Sequence, residues 1–195
     1  LFRIFNFFTN SLFFYWTILS KNLNIQNSFI LLSSYIFYGW WDWRYLSLIA
    51  MSTILDYFTG LKIYNSVENK TKKFYLWISI FFNLSVLCFF KYFNFFINSW
   101  IDLLRLIGFE KQYTTLFKII IPVGISFYTF QTMSYSLDIY YKKLKPYKNF
   151  ISFATFVSFF PQLVAGPIER AKNLLPQINT ARFFSYMQGI EGLRL

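Results

Sequence analysis

FFPQLVAGPIER, residues 159–170, interrupts a run of apolar and aromatic residues that predicts a membrane helix. It contains Pro161, Gly166 and Pro167 within seven positions, and these residues weaken helices. Irregular backbone at membrane depth is tolerated only where protein or a water-filled cavity satisfies the freed polar groups. We therefore predict that this stretch borders a cavity or a packed interior and does not face lipid.

The composition of the chain predicts a membrane protein. Of the 195 residues, 56% are hydrophobic, 25% are aromatic and only 14% are charged, whereas a soluble domain carries about 25% charged residues. A chain of this size has too little interior to bury 28 Phe, 15 Tyr and 6 Trp. The lipid bilayer is therefore the expected solvent for much of the surface.

The net charge of +11 comes largely from lysines that lie between apolar runs. Two clusters are prominent: Lys62, Lys70, Lys72 and Lys73, and Lys142, Lys143, Lys145 and Lys148. This placement is typical of cytoplasmic loops, whereas a nucleic-acid binder concentrates basic residues on one folded face. We expect loops 62–73 and 142–148 to be cytoplasmic, and we expect no nucleic-acid partner.

The apolar runs predict an all-α, multi-pass transmembrane protein with about six membrane segments, since each span needs about 20 residues. The segments are predicted near 2–19, 28–41, 45–61, 74–90 and 117–138, and the sixth begins after Asn149, a predicted N-cap. The charges in the connection 98–113 cancel, so we expect this connection to lie outside. Counting back through three spans from the cytoplasmic loop 62–73 predicts that the N-terminus is outside too.

Residues 91–105 predict an interfacial amphipathic helix. Polar side chains recur at intervals of three and four, at Lys91, Asn94, Asn98, Asp102 and Arg105. One polar stripe on an otherwise apolar helix favours a position in the membrane interface. We predict that the fourth span ends near Phe90 and that a second helix continues to Gly108; the alternative is one long tilted helix whose Lys91 reaches the interface.

Residues 121–140 predict a second irregular segment. Pro122 and Gly124 weaken its start. Gln131, Ser134 and Asp138 share one helix face, and such residues in lipid should face protein or a water-filled cavity. Two alternatives stay open: ordinary helix packing, and pairing of Asp138 with the lysine four residues later.

Asp56 lies six residues before Lys62, about 9 Å along a helix. We expect it to make a structural polar contact at a depth that water reaches, and the alternative is a functional role. The chain has no histidine and one cysteine, Cys88, which we expect to be a small buried hydrophobe. Neither a metal site nor a catalytic residue is predicted, and phosphate-loop and nucleophile-elbow motifs are absent from the sequence.

Four patterns resemble the membrane-bound O-acyltransferase family, in the bacterial branch that O-acetylates alginate and other exopolysaccharides. They are SYIFYGWWDWR (34–44), FKYFNFF (90–96), IPVGISFYTFQTMSYSLDIY (121–140) and FVSFFPQLVAGPIERAKNLLPQ (156–177). The resemblance implies a multi-pass bacterial inner-membrane enzyme whose helices form a funnel. Such an enzyme is expected to move an acyl group, usually acetyl, from a cytoplasmic donor to an acceptor at or across the membrane. The donor would be acetyl-CoA or an acyl-carrier protein, and no bound cofactor is expected.

The resemblance also implies an acceptor polysaccharide or a partner acetyltransferase protein at the outer face, with alginate, another exopolysaccharide, peptidoglycan and a teichoic-acid-like polymer all open. The family's catalytic histidine lies in a later segment. Residues 1–195 are therefore expected to be the N-terminal part of one membrane-embedded acyltransferase domain, truncated, and inactive by themselves.

The resemblance assigns residues to the funnel. The candidates that line or support it are Pro161, Gln162, Gly166, Pro167, Arg170, Gln131, Ser134 and Asp138. Arg170 and Lys172 are candidates for attracting an anionic donor; their alternative role is positive-inside anchoring, which needs no ligand.

Two other classes of protein stay open. A transporter or flippase half also needs broken helices and buried polar residues, although the sequence contains no internal repeat of the kind that transporters commonly show. A non-catalytic scaffold subunit is favoured by the missing histidine.

Overall fold

A computed structural model of the chain describes residues 2–17, 22–108, 120–122, 124–165, 167, 169–182 and 184–194. The helices are α1 (Phe2–Thr17), α2 (Leu23–Asp42), α3 (Leu46–Asn65), α4 (Asn69–Leu106), α5 (Ile125–Tyr140), α6 (Phe150–Ser158), α7 (Phe160–Ala165), α8 (Ala171–Asn179) and α9 (Tyr186–Arg194), with a short 3₁₀ helix at Trp43–Tyr45. Within these ranges no strand occurs, so the all-α class is confirmed for them.

Asparagine side chains fix the starts of two helices. The Oδ1 atom of Asn149 accepts hydrogen bonds from the backbone N–H groups of Ile151 and Ser152 at 3.0 and 3.3 Å, which confirms the predicted N-cap of α6. Asn22 caps α2 in the same way. Because this cap sets its start, α2 begins at Leu23, five residues before the membrane segment that we predict near 28–41.

Helices α3, α4 and α5 form a bundle in which α4 runs antiparallel to the other two. Ser52 of α3 contacts Asn83 of α4, whereas Asp56, one turn later in α3, contacts Ser79, one turn earlier in α4. The C-terminal ends of α3 and α5 lie together, because Gly60 of α3 packs against the Tyr135 ring of α5.

Both lysine clusters therefore lie at one end of this bundle, which we call the lysine end. The start of α2 is there too, because the Asn149 Nδ2 group donates to Oδ1 of Asn24 at 3.2 Å. The Tyr57 hydroxyl ties α3 to the same end by donating to the carbonyl of Lys148 at 2.6 Å.

Helix α4 differs from the prediction. It is continuous for 38 residues, about 57 Å at 1.5 Å per residue, so the predicted break near Phe90 and the separate interfacial helix are wrong. The alternative of one long helix is observed. The physical reason is that residues 69–106 contain neither proline nor glycine, the residues that break helices. The helix ends as expected before Gly108, whose φ is +94°.

Two helical stretches, Leu23–Asn65 and Asn69–Leu106, are long and apolar enough to cross a membrane. Large rings project outward from them, including Trp43 at 74% exposure and Phe81 at 73%, as lipid contact requires. Helices α1 and α5 have 16 residues each, fewer than a perpendicular span needs. Residues 109–119, which include the predicted start of the fifth segment, lie outside the described residues, and the count of six segments stays a prediction.

The predicted break in 159–170 is confirmed. Helix α6 ends at Ser158, Phe159 has φ −57° and ψ 97°, and α7 begins at Phe160. Pro161 explains the position of the break, since its ring clashes with the carbonyl four residues earlier and it has no N–H to donate. The freed N–H of Phe160 donates to the Ser34 hydroxyl of α2 at 3.4 Å, so neighbouring protein satisfies the backbone as predicted.

Candidate functional site

A cluster of polar side chains in the interior surrounds Asp56, whose side chain is completely buried. Its carboxylate accepts hydrogen bonds from the Ser79 hydroxyl and from Nδ2 of Asn83, the latter at 2.7 Å, and the Ser136 hydroxyl lies 3.4 Å away. Asn83 Oδ1 in turn accepts from the hydroxyl of Ser52 at 2.7 Å. The expected structural polar contact is confirmed, but the expected access of water is wrong because α4 and α5 cover the carboxylate.

Sequence reasoning missed the partners of Asp56, although a signal for them exists. Each helix of the bundle contributes two polar residues four positions apart: Ser52 and Asp56 in α3, Ser79 and Asn83 in α4, and Thr132 and Ser136 in α5. Residues spaced by four lie on one helix face. Three such pairs in apolar helices indicate that these faces meet, because buried polar groups need partners.

Two predicted site residues of α5, Gln131 and Ser134, make different kinds of hydrogen bond. The Gln131 Nε2 group donates to the carbonyl of Phe156 at 2.8 Å and ties α5 to α6. The Ser134 hydroxyl, which is partly buried, donates to the Gln131 carbonyl of its own helix at 2.8 Å. The Gln131 contact is helix packing, one of the two alternatives left open by the sequence, whereas the Ser134 hydrogen bond stays within α5.

Asp138 is buried at the C-terminal end of α5, with 7% exposure. Its pairing with Lys142 is not observed: the ion pairs of the described residues are Arg44–Asp42 and Arg105–Asp102. The reason is that the helix ends at Tyr140 and Lys142 adopts a φ of +58°, which breaks the i, i+4 spacing that the pair requires.

The structure separates the predicted site residues of 161–172 into interior and surface. Gln162 is buried, and its Nε2 group spans the irregular stretch by donating to the carbonyl of Pro167 at 3.1 Å. Pro167, Arg170 and Lys172 are exposed, and Arg170 occupies the N-cap position of α8. Gly166 lies outside the described residues.

A cavity of about 380 Å³ lies beside this break, between α1, α2 and α8. Pro161 borders it together with Phe159 and Phe160. The opposite walls are formed mainly by apolar and aromatic side chains, among them Leu12, Trp16, Phe29, Ile30, Leu174 and Ile178.

Arg182 lies at the edge of this cavity and sequence reasoning missed it. Its Nη2 group donates to Oδ1 of Asn27 and to the carbonyl of Ile178, the latter at 3.4 Å. The guanidinium carbon lies 5.5 Å from the centre of the Tyr15 ring, a cation–π distance. Burial lowers the pKa of Arg182 and Tyr15 opposes the shift, and an arginine stays charged in proteins.

Asn27 connects the elements around Arg182 and is completely buried. Its Nδ2 group donates to the carbonyl of Ile178 at 3.1 Å and to the Ser152 hydroxyl at 3.4 Å. Its own carbonyl accepts from the Thr155 hydroxyl at 3.0 Å. Helices α2, α6 and α8 are therefore locked together at the level of Arg182. No short-range spacing in the sequence marks these contacts, which join residues more than 120 positions apart.

The arrangement is suited to binding an amphiphile, since it combines apolar walls with one fixed cation. Among the residues that the structure describes, no group of three His, Cys, Asp or Glu side chains is placed to bind a metal. Cys88 is exposed on α4 and not buried as expected, because its face of the helix points outward.

Comparisons with known proteins agree with the sequence patterns. The probable alginate O-acetylase AlgI of Pseudomonas aeruginosa is 39% identical over 155 residues, which are 79% of this chain and 29% of that protein. The protein of the same name from Pseudomonas putida is 38% identical over 155 residues, again 79% of this chain and 32% of the relative. The peptidoglycan O-acetyltransferase of Helicobacter pylori is 33% identical over 182 residues, covering 81% of this chain and 33% of the relative.

The chain spans about a third of the length of the curated relatives it matches. No family model matches it, and no solved structure does. The apolar helices and these relatives define an all-helical membrane protein. The chain belongs to the membrane-bound O-acyltransferase family, as its four sequence patterns indicate.

Proposed function

We propose that these residues are the N-terminal part of an enzyme that transfers an acetyl group to a cell-envelope polysaccharide. The observation that carries the proposal is the match, over 79% of the chain, to proteins named alginate O-acetylase, together with the match to a peptidoglycan O-acetyltransferase. Both names describe transfer to a polysaccharide. They favour acyl transfer over a transporter half, for which the described residues supply no specific observation.

In this proposal the described helices position the reaction, and the proton transfer is carried out elsewhere. The chain contains no histidine, so the general base expected for the acceptor hydroxyl comes from sequence outside residues 1–195. The chain alone is then inactive. The buried residues Gln131 and Gln162, whose Oε1 atoms have no partner among the described residues, support the wall of the funnel near the break at Phe159.

The donor in this proposal is acetyl-CoA or an acyl-carrier protein, attracted by Arg170 and Lys172. Both cations are exposed and neither has an ion pair among the described residues, which leaves them accessible to a soluble anion. Replacing both by Gln should raise the KM for the donor and leave kcat unchanged. An unchanged KM would assign these residues to membrane anchoring.

A chimera tests the proposed function. The matching segment of the Pseudomonas aeruginosa relative is replaced by that of this chain, and the chimera is expressed in a strain that lacks its own alginate O-acetylase. The acetyl content of secreted alginate should be restored, whereas residues 1–195 expressed alone should not restore it. Acetylation by residues 1–195 alone would contradict the external base, and a stable chimera without activity would contradict the proposed function.

The proposed location is the bacterial inner membrane, with about six spans and with loops 62–73 and 142–148 in the cytoplasm. The support is that both lysine clusters lie at one end of the bundle, as the positive-inside rule requires of loops on one side. Polysaccharide, or a partner acetyltransferase protein, is then met at the opposite face.

A further inference from the structure

We propose that the cavity beside Arg182 binds one anionic phospholipid, with an acyl chain in the cavity and the phosphate at the guanidinium. The proposal concerns a lipid site and does not rest on the acyl-transfer activity.

The walls of the cavity select an apolar occupant. Leu12 and Trp16 of α1, Ile30 of α2 and Leu174 of α8 contribute apolar surface, and Phe159 lines the side of the broken helix. The volume of about 380 Å³ lies in the range of about 300–1,000 Å³ that is typical of small-molecule sites. A soluble anion bound at the edge would leave this apolar space unfilled.

Arg182 selects an anionic head group. It is the one charged side chain among the described residues that line the cavity, so no acidic residue there neutralises it. Its Nη2 group is used by Asn27, but its Nε atom is buried without a hydrogen-bond partner in the described part of the chain. No ligand atom reaches that buried nitrogen, but the guanidinium lines the cavity, and a phosphate oxygen there accepts from its other N–H groups.

The position of the cavity fits the orientation of a lipid. Arg182 binds Asn27, one helical turn from Asn24, which contacts Asn149 at the lysine end. The cavity extends from there along α2 to Ser33, about 9 Å farther into the bundle. The polar head would therefore lie at the level of the lysine clusters, which attract anionic lipids of the leaflet on that side, and the chain would point towards the membrane centre.

Photocrosslinking tests the proposal on the full-length protein purified in detergent. The probe is phosphatidylglycerol with a diazirine in one acyl chain, and crosslinked peptides are identified by mass spectrometry. We expect crosslinks to residues 11–16 and 159–161. Phosphatidylglycerol without the diazirine should compete, whereas phosphatidylcholine and inorganic phosphate should not.

Variants separate the head group from the chain. Arg182→Gln should lower crosslinking to these peptides roughly tenfold, the loss of one charge-assisted hydrogen bond, while Arg194→Gln, the same change at an exposed arginine of α9, should not. Leu12→Trp fills the cavity and keeps Arg182, so it should abolish crosslinking even if Arg182→Gln proves too unstable to purify.

Four outcomes would overturn the lipid site. Unchanged crosslinking in Leu12→Trp would show that the acyl chain lies elsewhere. Equal competition by phosphatidylcholine would remove the role of the charge, and competition by inorganic phosphate alone would reduce the site to a simple anion site. A missing crosslink in the unmodified protein would show that protein or solvent, and not lipid, occupies the cavity.

Discussion

Gly60 controls how closely α3 approaches α5. A Cβ atom at this position would lie 2.8 Å from the Tyr135 ring and 3.0 Å from Ile139. The ring has little room to move, because Tyr135 is fully buried and its centre is 4.6 Å from that of Phe153. Small residues at such contacts allow membrane helices to pack closely.

We predict that Gly60→Ala destabilises the protein by about 1–3 kcal/mol through overpacking. The control is Gly192→Ala in α9, where a new Cβ has no neighbour within 4 Å and only the helix propensity improves. The melting temperatures of both variants in detergent give the comparison. Equal melting temperatures would show that the α3–α5 contact is looser than the structure has it.

Asp56 contributes to stability through the donors that it satisfies. In Asp56→Ala the N–H of Asn83 that donates to Asp56 loses its acceptor inside the bundle, while the Ser79 hydroxyl still has the Ser136 hydroxyl as an acceptor at 3.0 Å. We expect a loss of about 1–3 kcal/mol of unfolding free energy, the usual cost of a buried unsatisfied group. Asp102→Ala is the matched control, since that carboxylate is exposed and its ion pair with Arg105 contributes little. Similar unfolding midpoints for the two variants would contradict this role.

At the scale of the helix, α4 and the α6–α7 segment show what ends a helix in this chain. The polar stripe of residues 91–105 predicted a separate element, but α4 continues through it because residues 69–106 contain no helix breaker. The α6–α7 segment does break, and it breaks at Phe159 because of Pro161. Proline therefore explains the break at Phe159, and the absence of proline and glycine explains why α4 continues past Phe90. The polarity of the helix surface explains neither.

The break also depends on Ser34, whose hydroxyl accepts the hydrogen bond from the N–H of Phe160. We predict that Ser34→Ala speeds amide hydrogen exchange at Phe160, since the substitution removes the hydrogen bond between this N–H and α2. Ser47→Ala removes a hydroxyl that bonds only within its own turn, to the carbonyl of Arg44, and should leave exchange at Phe160 unchanged. Protection of Phe160 that survives in Ser34→Ala would show that Ser34 does not satisfy the break.

At the scale of the whole molecule, the lysine end sets the expected orientation. Lys72 and Lys145 belong to clusters at the same end, whereas Asp102 lies 30 residues along α4 from Lys72, about 45 Å at 1.5 Å per residue. This distance exceeds the hydrocarbon core of about 30 Å. Asp102 and the lysine clusters should therefore lie on opposite sides of the membrane.

Cysteine labelling in intact cells checks this orientation. In a Cys88→Ala background, Asp102→Cys should react with a membrane-impermeant maleimide, while Lys72→Cys and Lys145→Cys should react only after the membrane is opened. Labelling of Asp102→Cys only in opened cells would invert or refute the topology, and opposite behaviour of the two lysine positions would contradict their common side.

The sequence alone determined most of the local structure. Apolar runs located the helices, Asn149 marked the start of α6, and Pro161 marked the break, because caps and prolines act on the backbone within one turn. The four patterns identified the family. The error at Phe90 arose from giving side-chain polarity more weight than the absence of a breaker.

Only the tertiary structure decided which polar groups meet. The pattern of α3 shows that Asp56 lies in an apolar helix, but its contact with Ser136 of α5 depends on how two helices are rotated and offset. The same holds for Arg182 and Asn27, which are 155 positions apart in the chain. Helix formation follows from residues within a turn of one another. The cavity forms, and Arg182 comes to lie beside it, only when helices distant in the sequence pack together.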